Sequence, residues 1–104
     1  MLESTAVVVT DAPERYAKQL LAHLGRKDTV ETVAGERQGG RLVFGYGTGT
    51  VRPEDNRLVL EASAQDLESL VHVEDVLGRH LERFGAKREL VVTWQRDSPE
   101  ASGG

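Results

Sequence analysis

The stretch from Val73 to Trp94 limits the fold more than any other part of the chain. The apolar residues of its first half are Val73, Val76, Leu77, Leu81 and Phe84. This spacing places one continuous apolar stripe along a helix. Gly85 is expected to end the helix, and the pattern then changes to a period of two, with Leu90, Val92 and Trp94 on one face of a strand. A helix followed directly by a half-buried strand predicts that the helix packs against a sheet.

Length and composition predict one small globular domain. The 104 residues can bury a single core, and 38% hydrophobic with 29% charged residues is ordinary for a globular protein. We therefore expect a single domain over 1–97 and a flexible tail over 98–104. Cysteine is absent, which removes disulfides, thiol nucleophiles and sulfur-ligated zinc, and suits the reducing cytoplasm, where we expect the protein. We find no secretory signal at Met1-Leu-Glu-Ser-Thr5 and no apolar run of membrane-spanning length.

The charge balance disfavours two classes of partner. The formal net charge is -4 and the isoelectric point is near 5.3. A general nucleic-acid binder needs a surplus of cations to neutralise phosphates, and adsorption to anionic membranes needs the same surplus. We expect no nucleic-acid partner and no membrane partner, and leave open only a local basic patch.

The first part of the chain predicts a strand followed by a helix. β-Branched residues dominate Thr5 to Thr10, as is typical of a strand. Asp11 and Glu14 have the spacing of a capping box, and Pro13 fits the first helical turn, where its missing N–H costs nothing. The apolar stripe that follows is Tyr16, Ala17, Leu20, Leu21 and Leu24. We expect Gly25 to end this helix in a left-handed conformation, as at the end of the later helix.

The middle of the chain predicts a meander of strands separated by turns. Strands are expected at 27–34, 41–46 and 57–62, with turns at 35–40 and 53–56. Glycines at 45, 47 and 49 interrupt the pattern, so we expect a bulge or a tight reversal there.

The start of the second helix is less regular than its end. Ser63 and Asp66 have capping-box spacing. The apolar residues between 67 and 71 form a stripe that is rotated relative to the one beginning at Val73. Either the helix kinks near His72, or its first turns cover a different part of the sheet.

The order of elements predicts an α+β fold. It reads strand, helix, a meander of three or four strands, helix, strand. A two-layer sandwich satisfies this order with short connections, with a four- to five-stranded, mainly antiparallel sheet and two helices on one face. A ferredoxin-like arrangement is the main alternative.

His80 is the leading candidate for chemistry, because imidazole side chains titrate near neutral pH and this one interrupts an apolar stripe. It can act as a general base with Glu74 or Glu82 orienting it, or as a ligand-gripping donor. The more ordinary interpretation is a histidine at the core edge, bonded to a backbone carbonyl or a carboxylate. Glu74 projects toward the apolar side, where pairing with an Arg or Lys from the sheet is the simplest prediction.

The first helix offers a second set of polar candidates. Tyr16, Gln19 and His23 share one ridge and can line a small groove, although a solvated helix margin is the commoner outcome. A cationic edge that receives an anionic ligand would consist of Arg15, Lys18, Arg26 and Lys27. Such charges more often only solvate a helix.

Several chemistries find no support. His23, His72 and His80 lack the i,i+4 pair that puts two imidazoles on one helix face, and His72 points away from His80, so we expect no metal site. The run 45–49 resembles a phosphate loop only in its glycines, because neither a following helix nor a Gly-Lys-Ser/Thr sequence is present. No Gly-x-Ser-x-Gly elbow supports acyl transfer. We expect no cofactor.

Blocks in both halves of the chain resemble a known family. They are Arg15-Tyr-Ala-Lys-Gln-Leu20 with His23 and Lys27, Val73-Glu-Asp75, His80-Leu-Glu-Arg-Phe84 and Val91-Val-Thr-Trp94. Together they resemble the small bacterial domain-of-unknown-function family 2218, from Thr5 to about Arg96. That family has no established activity. Its members can occur beside or fused to siderophore-interacting flavin reductases, so the resemblance implies a loose link to iron acquisition.

The resemblance singles out Tyr16, Lys18, His23, His80 and Glu82 as a set, without giving them a role. The glycine-rich stretch 46–50 departs from the family pattern, which is less rich in glycine there. We therefore expect a non-catalytic accessory or binding module for a small anionic or iron-related ligand or a reductase partner. The ligand contacts are expected at Tyr16, Lys18, His23 and His80. The alternatives are a small enzyme that uses His80 as general base, and a homodimer that pairs edge strands.

Overall fold

The computed structural model describes residues 1–25 and 29–97. Within these residues the elements are β1 (Leu2–Val9), α1 (Pro13–Leu24), β2 (Thr29–Ala34), β3 (Gly40–Phe44), β4 (Gly47–Glu54), β5 (Arg57–Ala64), α2 (Leu67–Phe84) and β6 (Gln95–Asp97). A short 3-10 turn, Ala86–Arg88, follows α2. The predicted order of elements is confirmed, with four strands in the meander. Lys27, where the second strand was expected to begin, and the predicted tail 98–104 lie outside the described residues.

The strands of the described chain form one open antiparallel sheet with the order β2-β3-β4-β5-β1-β6. The α+β class and the antiparallel sheet are confirmed, but the predicted four to five strands were too few. The strand missing from the expected set is β4 (Gly47–Glu54), because the glycines at 47 and 49 suggested an interruption rather than a strand of its own. The last strand was expected at 90–94 and lies instead at Gln95–Asp97. The ferredoxin-like alternative is wrong, since it requires parallel neighbours from a split βαβ unit. Here β1 pairs antiparallel with both β5 and β6.

The core combines one set of alternating strand positions with the apolar stripes of both helices. From the sheet the buried residues are Ala6, Val8, Leu42, Phe44, Val51, Leu58, Leu60, Ala62 and Ala64, and from the helices Tyr16, Ala17, Leu20, Leu24, Leu70, Val73, Leu77 and Leu81. Nearly all of the predicted helical stripe is therefore buried. Burial of this apolar surface is the main force that holds the helices on the sheet.

The glycine-rich stretch brings α2 close to the sheet. The chain reverses tightly at Gly45 and Tyr46, as predicted, and Gly47 then opens β4. A Cβ atom at Gly47 would lie 2.8 Å from Cγ2 of Val73, and one at Gly49 would lie 2.8 Å from Cδ1 of Leu77. The two helix residues therefore occupy the space that strand side chains would otherwise fill. These glycines are explained by helix packing rather than by a bound phosphate.

The start of α1 differs from the predicted capping box. The N-cap residue is Ala12, which has no side-chain oxygen to offer. Instead the Thr10 hydroxyl accepts a hydrogen bond from the Ala12 N–H at 3.2 Å. Glu14 is drawn to Arg37, whose Nη2 lies 2.8 Å from its carboxylate. The predicted Asp11 cap is therefore wrong, whereas Pro13 occupies the first turn as expected.

The start of α2 is also shifted from the prediction. Ser63 belongs to β5, and Asp66 is the N-cap, with its carboxylate accepting from the Ser69 N–H at 2.8 Å. The helix runs as one element through His72. Of the three apolar residues in the rotated stripe, Leu70 is buried in the core, whereas Leu67 is 53% exposed and Val71 is 42% exposed. The stripe is rotated because these last two residues face solvent rather than the sheet.

The two helix ends do not use left-handed glycines. Gly25 has φ -63° and Gly85 has φ -97°, so the predicted left-handed conformation is wrong at both. At Gly85 the reason for glycine is space, since a Cβ atom would lie 2.6 Å from Cγ of Leu90. The chain turns back at this point and packs Leu90 against the end of α2.

The segment 90–94 alternates as predicted but is not a strand. Leu90, Val92 and Trp94 are half-buried and face the core, whereas Val91 and Thr93 are exposed. The Val92 N–H donates to Oε2 of Glu82 at 2.9 Å instead of joining a ladder. Pairing with β1 begins only at Gln95. The alternation of apolar residues in this segment therefore indicates which side chains face the core, but it does not indicate hydrogen bonding to a neighbouring strand.

Candidate ligand-binding site

Two histidines from distant parts of the sequence meet where α1 and α2 pack together. The ring centroids of His23 and His80 are 5.0 Å apart, with the ring planes tilted by 45°. The Phe84 ring packs edge-on against His23 at 5.5 Å. Both imidazoles are half-buried, so each keeps a part accessible to solvent. His23 lies in the last turn of α1, and His80 and Phe84 are one turn apart on α2.

A backbone contact orients the His80 ring. Its Nδ1 lies 2.7 Å from the carbonyl oxygen of Val76. A carbonyl can only accept, so this bond places the N–H on Nδ1 of a neutral ring. Nε2 is then the ring nitrogen left for another partner.

Glu74 forms a buried ion pair at the edge of the sheet. Its carboxylate accepts two hydrogen bonds from Arg96 of β6, at 2.9 and 3.0 Å, and its side chain is 7% exposed. Burial raises the pKa of the Glu74 carboxyl, but the Arg96 guanidinium, the nearby Ser4 hydroxyl and the Arg96 charge together hold it below its ordinary value. The predicted partner from the sheet is thus Arg96.

The Ser4 hydroxyl beside this pair is incompletely satisfied. It lies near enough to favour the charged form of Glu74, yet it completes no hydrogen bond of acceptable geometry within the described chain. Ser4 is also almost fully buried, at 1% exposure. An unpaired buried hydroxyl is a small cost that the ion pair tolerates.

Neither carboxylate named as a partner for His80 contacts it. Glu74 is bonded to Arg96, and Glu82 accepts from the Val92 N–H. Within residues 1–25 and 29–97, the side-chain hydrogen bond of His80 is to the Val76 carbonyl. His80 therefore has a backbone group, rather than a carboxylate, as its orienting partner.

The remaining ligand candidates are not all brought to the histidines. Tyr16 is 8% exposed and belongs to the core. Gln19 is exposed. Lys18 is also exposed and lines a separate cavity of about 390 Å³ with Leu21 and the β2–β3 turn. The structure brings His23 and His80 together, and leaves Lys18 on another side of α1. Arg26 and Lys27 of the predicted cationic edge lie outside the described residues.

One aromatic stack was not anticipated from the sequence. Tyr46 lies parallel to His72, with centroids 3.9 Å apart, and to Phe44 at 5.3 Å. Phe44 and Tyr46 flank the start of the β3–β4 reversal, and that spacing was the available signal. His72 is thus engaged away from His80. Among the described residues, no group of three or more His, Asp or Glu side chains is placed to hold a metal ion.

The fold and these contacts define a small α+β domain with two helices and an open antiparallel sheet. The chain belongs to the family described as "Uncharacterized protein conserved in bacteria (DUF2218)", whose model matches residues 5–95. The predicted family is confirmed, with nearly the predicted extent.

A solved relative has the same overall fold. The NMR structure of PA4090 from Pseudomonas aeruginosa is 27% identical, with a TM-score of 0.75 over 91% of this chain and 96% of that one. A comparison with curated proteins found no match. No helix in the described part of the chain is long and apolar enough to cross a membrane.

Proposed function

We propose that this protein is a non-catalytic binding module whose ligand is held at the His23–His80 pair. The observation that carries the proposal is the 5.0 Å approach of these two rings. They come from two separate sequence blocks, and the folding of α1 against α2 brings them together. A solvated helix margin gives no reason for two half-buried imidazoles to face each other.

The chemistry of the pair favours a small anionic or iron-related ligand. Imidazole nitrogens can donate to an anion and can also bind a metal that a ligand carries. Because His80 is oriented through Nδ1, its Nε2 is held in a defined direction, which lowers the cost of ordering on binding. The chain has a net charge of -4, so affinity for an anion must come from local donors of this kind.

The other expectations enter as proposals with less support. The link to siderophore-related reductases rests on family resemblance alone. The contacts of Leu21 with Gly40 and of Leu77 with Gly49 support a two-layer arrangement, because the β3–β4 register puts both glycines on one side of the sheet. A cytoplasmic location fits the absence of cysteine. A homodimer would pair an edge strand, β2 or β6, with its copy, and light scattering measures that mass directly.

Among the contacts of the described residues, none favours the enzyme hypothesis over binding. General-base catalysis by His80 calls for a group that orients the ring and a substrate within hydrogen-bond reach. Both carboxylates proposed for the orienting role are bonded to other groups. Binding therefore remains the leading proposal.

The test is a titration with matched histidine variants. The full-length chain is titrated with citrate, phosphate, ferric siderophores and flavins, and binding is followed by 1H–15N NMR and Trp94 fluorescence. At least one compound is expected to shift the resonances of His23 and His80. His23→Gln and His80→Gln should each weaken that binding by about tenfold or more, whereas His72→Gln should leave it unchanged. A full panel without response, or equal loss in all three variants, contradicts the proposal.

A further inference from the structure

A cavity of about 610 Å³ is lined by residues of β2, the β2–β3 turn, β3 and β4, and neither His23 nor His80 belongs to its lining. The β2–β3 turn and strands β3 and β4 form its walls, and no residue of α1 or α2 lines it. Its size is within the range of small-molecule sites. Three arginines line it, namely Arg37, Arg41 and Arg52, together with two glutamates, Glu36 and Glu54.

Two of the arginines are already paired. Arg37 Nη2 lies 2.8 Å from the Glu14 carboxylate and 3.3 Å from that of Asp55. These contacts tie the β2–β3 turn both to the first turn of α1 and to the β4–β5 turn. They fix one wall of the cavity and neutralise Arg37, while Glu36 of the same turn forms no ion pair within 1–25 and 29–97.

Arg52 is held in the same way on β4. Its guanidinium bonds Glu54 at 3.1 Å and Glu61 at 2.7 Å. Glu54 also receives Arg57 at 2.7 Å, so the charges on this strand form a network. The network positions Arg52 beside the cavity and largely neutralises it.

Arg41 differs from both, because it forms no ion pair with any residue in 1–25 or 29–97. It is exposed and lies opposite Thr50 in the β3–β4 register, so the two side chains project from the same face of the sheet. A guanidinium presents a planar fork of donors that fits a carboxylate or phosphate group. Arg41 is therefore the cation of this cavity that remains available to a ligand.

The rest of the cavity surface is largely apolar. Val33 is 39% exposed and stands opposite Arg41 across the β2–β3 pair, and Val51 and Pro53 also contribute. We propose that this cavity is a second binding site for a small molecule that has one carboxylate or phosphate group and a short apolar body. The anionic group would be bound by Arg41 and Thr50, and the apolar body would cover Val33. This site is independent of the one proposed at His23 and His80.

The test compares three probes that separate the two parts of the recognition. Hexanoate has both the anion and the apolar body, inorganic phosphate has only the anion, and hexylammonium has the apolar body with the opposite charge. Each is titrated into the full chain, and amide shifts are followed by NMR at residues 33, 41 and 50. Hexanoate is expected to bind most tightly, and hexylammonium is expected to leave these amides unchanged.

Variants then assign the charge. Arg41→Ala should weaken hexanoate binding about tenfold or more, while Arg79→Ala, which removes the same charge from α2, should have no effect. Arg41 is exposed and unpaired, so its removal leaves the fold intact, which the unchanged NMR spectrum of the remaining residues verifies. His80→Gln should retain the hexanoate-induced amide shifts at residues 33, 41 and 50, which separates this site from the other one. Unchanged binding in Arg41→Ala, or equal binding of hexanoate and hexylammonium, overturns the inference.

Discussion

Removing Arg96 is expected to destabilise the protein through the carboxylate that it leaves behind. The Glu74 side chain is 7% exposed and the Arg96 side chain is 46% exposed. Breaking a fully buried pair costs about 3–5 kcal/mol, and an exposed pair contributes about 0–1 kcal/mol. The half-exposed guanidinium places Arg96→Ala between these limits, at about 2 kcal/mol near neutral pH. For a chain of this size that corresponds to a fall in Tm of roughly 8–16 °C.

The penalty should depend on pH in a defined direction. In the native protein the pKa of Glu74 lies below its ordinary value, so the ion pair stabilises the fold above the unfolded-state pKa. This stability is lost as pH falls through the folded-state pKa. Without Arg96, burial raises the pKa of Glu74 and is opposed only by the Ser4 hydroxyl, so the protonated form is favoured more than in the native protein. The difference in unfolding free energy between native protein and variant should therefore shrink toward acid pH.

Urea unfolding at pH 7 and at about pH 3 measures both effects. Glu74→Gln and the double variant complete a cycle that isolates the pairwise energy. Arg79→Ala is the matched control, because Arg79 is 78% exposed and pairs with Asp75 one turn away on α2. It should change stability by less than about 0.5 kcal/mol. A loss in Arg96→Ala no larger than in the control at pH 7, or one that grows on acidification, refutes the reasoning.

Three further changes test the fold by thermal or urea unfolding. Gly49→Ala should lower the free energy of unfolding by about 1–3 kcal/mol, because its Cβ atom would meet Leu77. Gly45→Ala should be close to neutral, because no atom lies within 4 Å of a Cβ atom there. Equal losses in the two variants would contradict the close packing of α2 on Gly49. Thr10→Ala should lower the free energy of unfolding by about 1 kcal/mol, because the hydrogen bond from the Ala12 N–H is lost, and this loss should exceed that in Asp11→Ala. A larger loss in Asp11→Ala would support the capping box predicted from the sequence. Ser4→Ala should change stability by less than about 1 kcal/mol in either direction, because it removes a buried hydroxyl without a completed hydrogen bond together with the favourable effect of that hydroxyl on the Glu74 carboxylate; a larger loss would show that the hydroxyl is bonded.

The spacing of apolar residues predicted those helices and strands whose formation depends mainly on residues close in sequence. The stripe from Val73 to Phe84 and the stop at Gly85 follow from side-chain spacing, and the structure has both. The helix caps were harder to predict from the sequence. Whether Asp11 or Thr10 bonds the first N–H groups of α1 depends on the direction from which the chain enters the helix. β6 was inaccessible in a different way, since a strand of three residues exists only through its neighbour β1.

The candidate site likewise has features that local sequence predicts and features that only tertiary packing determines. That Glu74 requires a cation follows from a carboxylate on an apolar face, and the pairing is found. That the cation is Arg96 depends on the β1–β6 register, which places Arg96 opposite Ser4. The approach of His23 to His80 depends on how α1 and α2 pack, and no local pattern contains that distance. Lys18 shows the converse, because proximity in sequence to His23 did not bring it to the same surface.

The absence of side chains at Gly47 and Gly49 has a consequence for the histidines, although neither glycine touches them. α2 is a continuous helix, so the depth at which Val73 and Leu77 settle on β4 also fixes the height of His80 above the sheet. α1 approaches the sheet at a different place, where Leu21 lies over Gly40, and it also packs against α2. The distance between the two imidazoles therefore depends on how closely α2 approaches β4. If the pair binds a ligand as proposed, a relative with bulkier residues at these two positions of β4 would hold the same two histidines at a different separation and so select a different ligand.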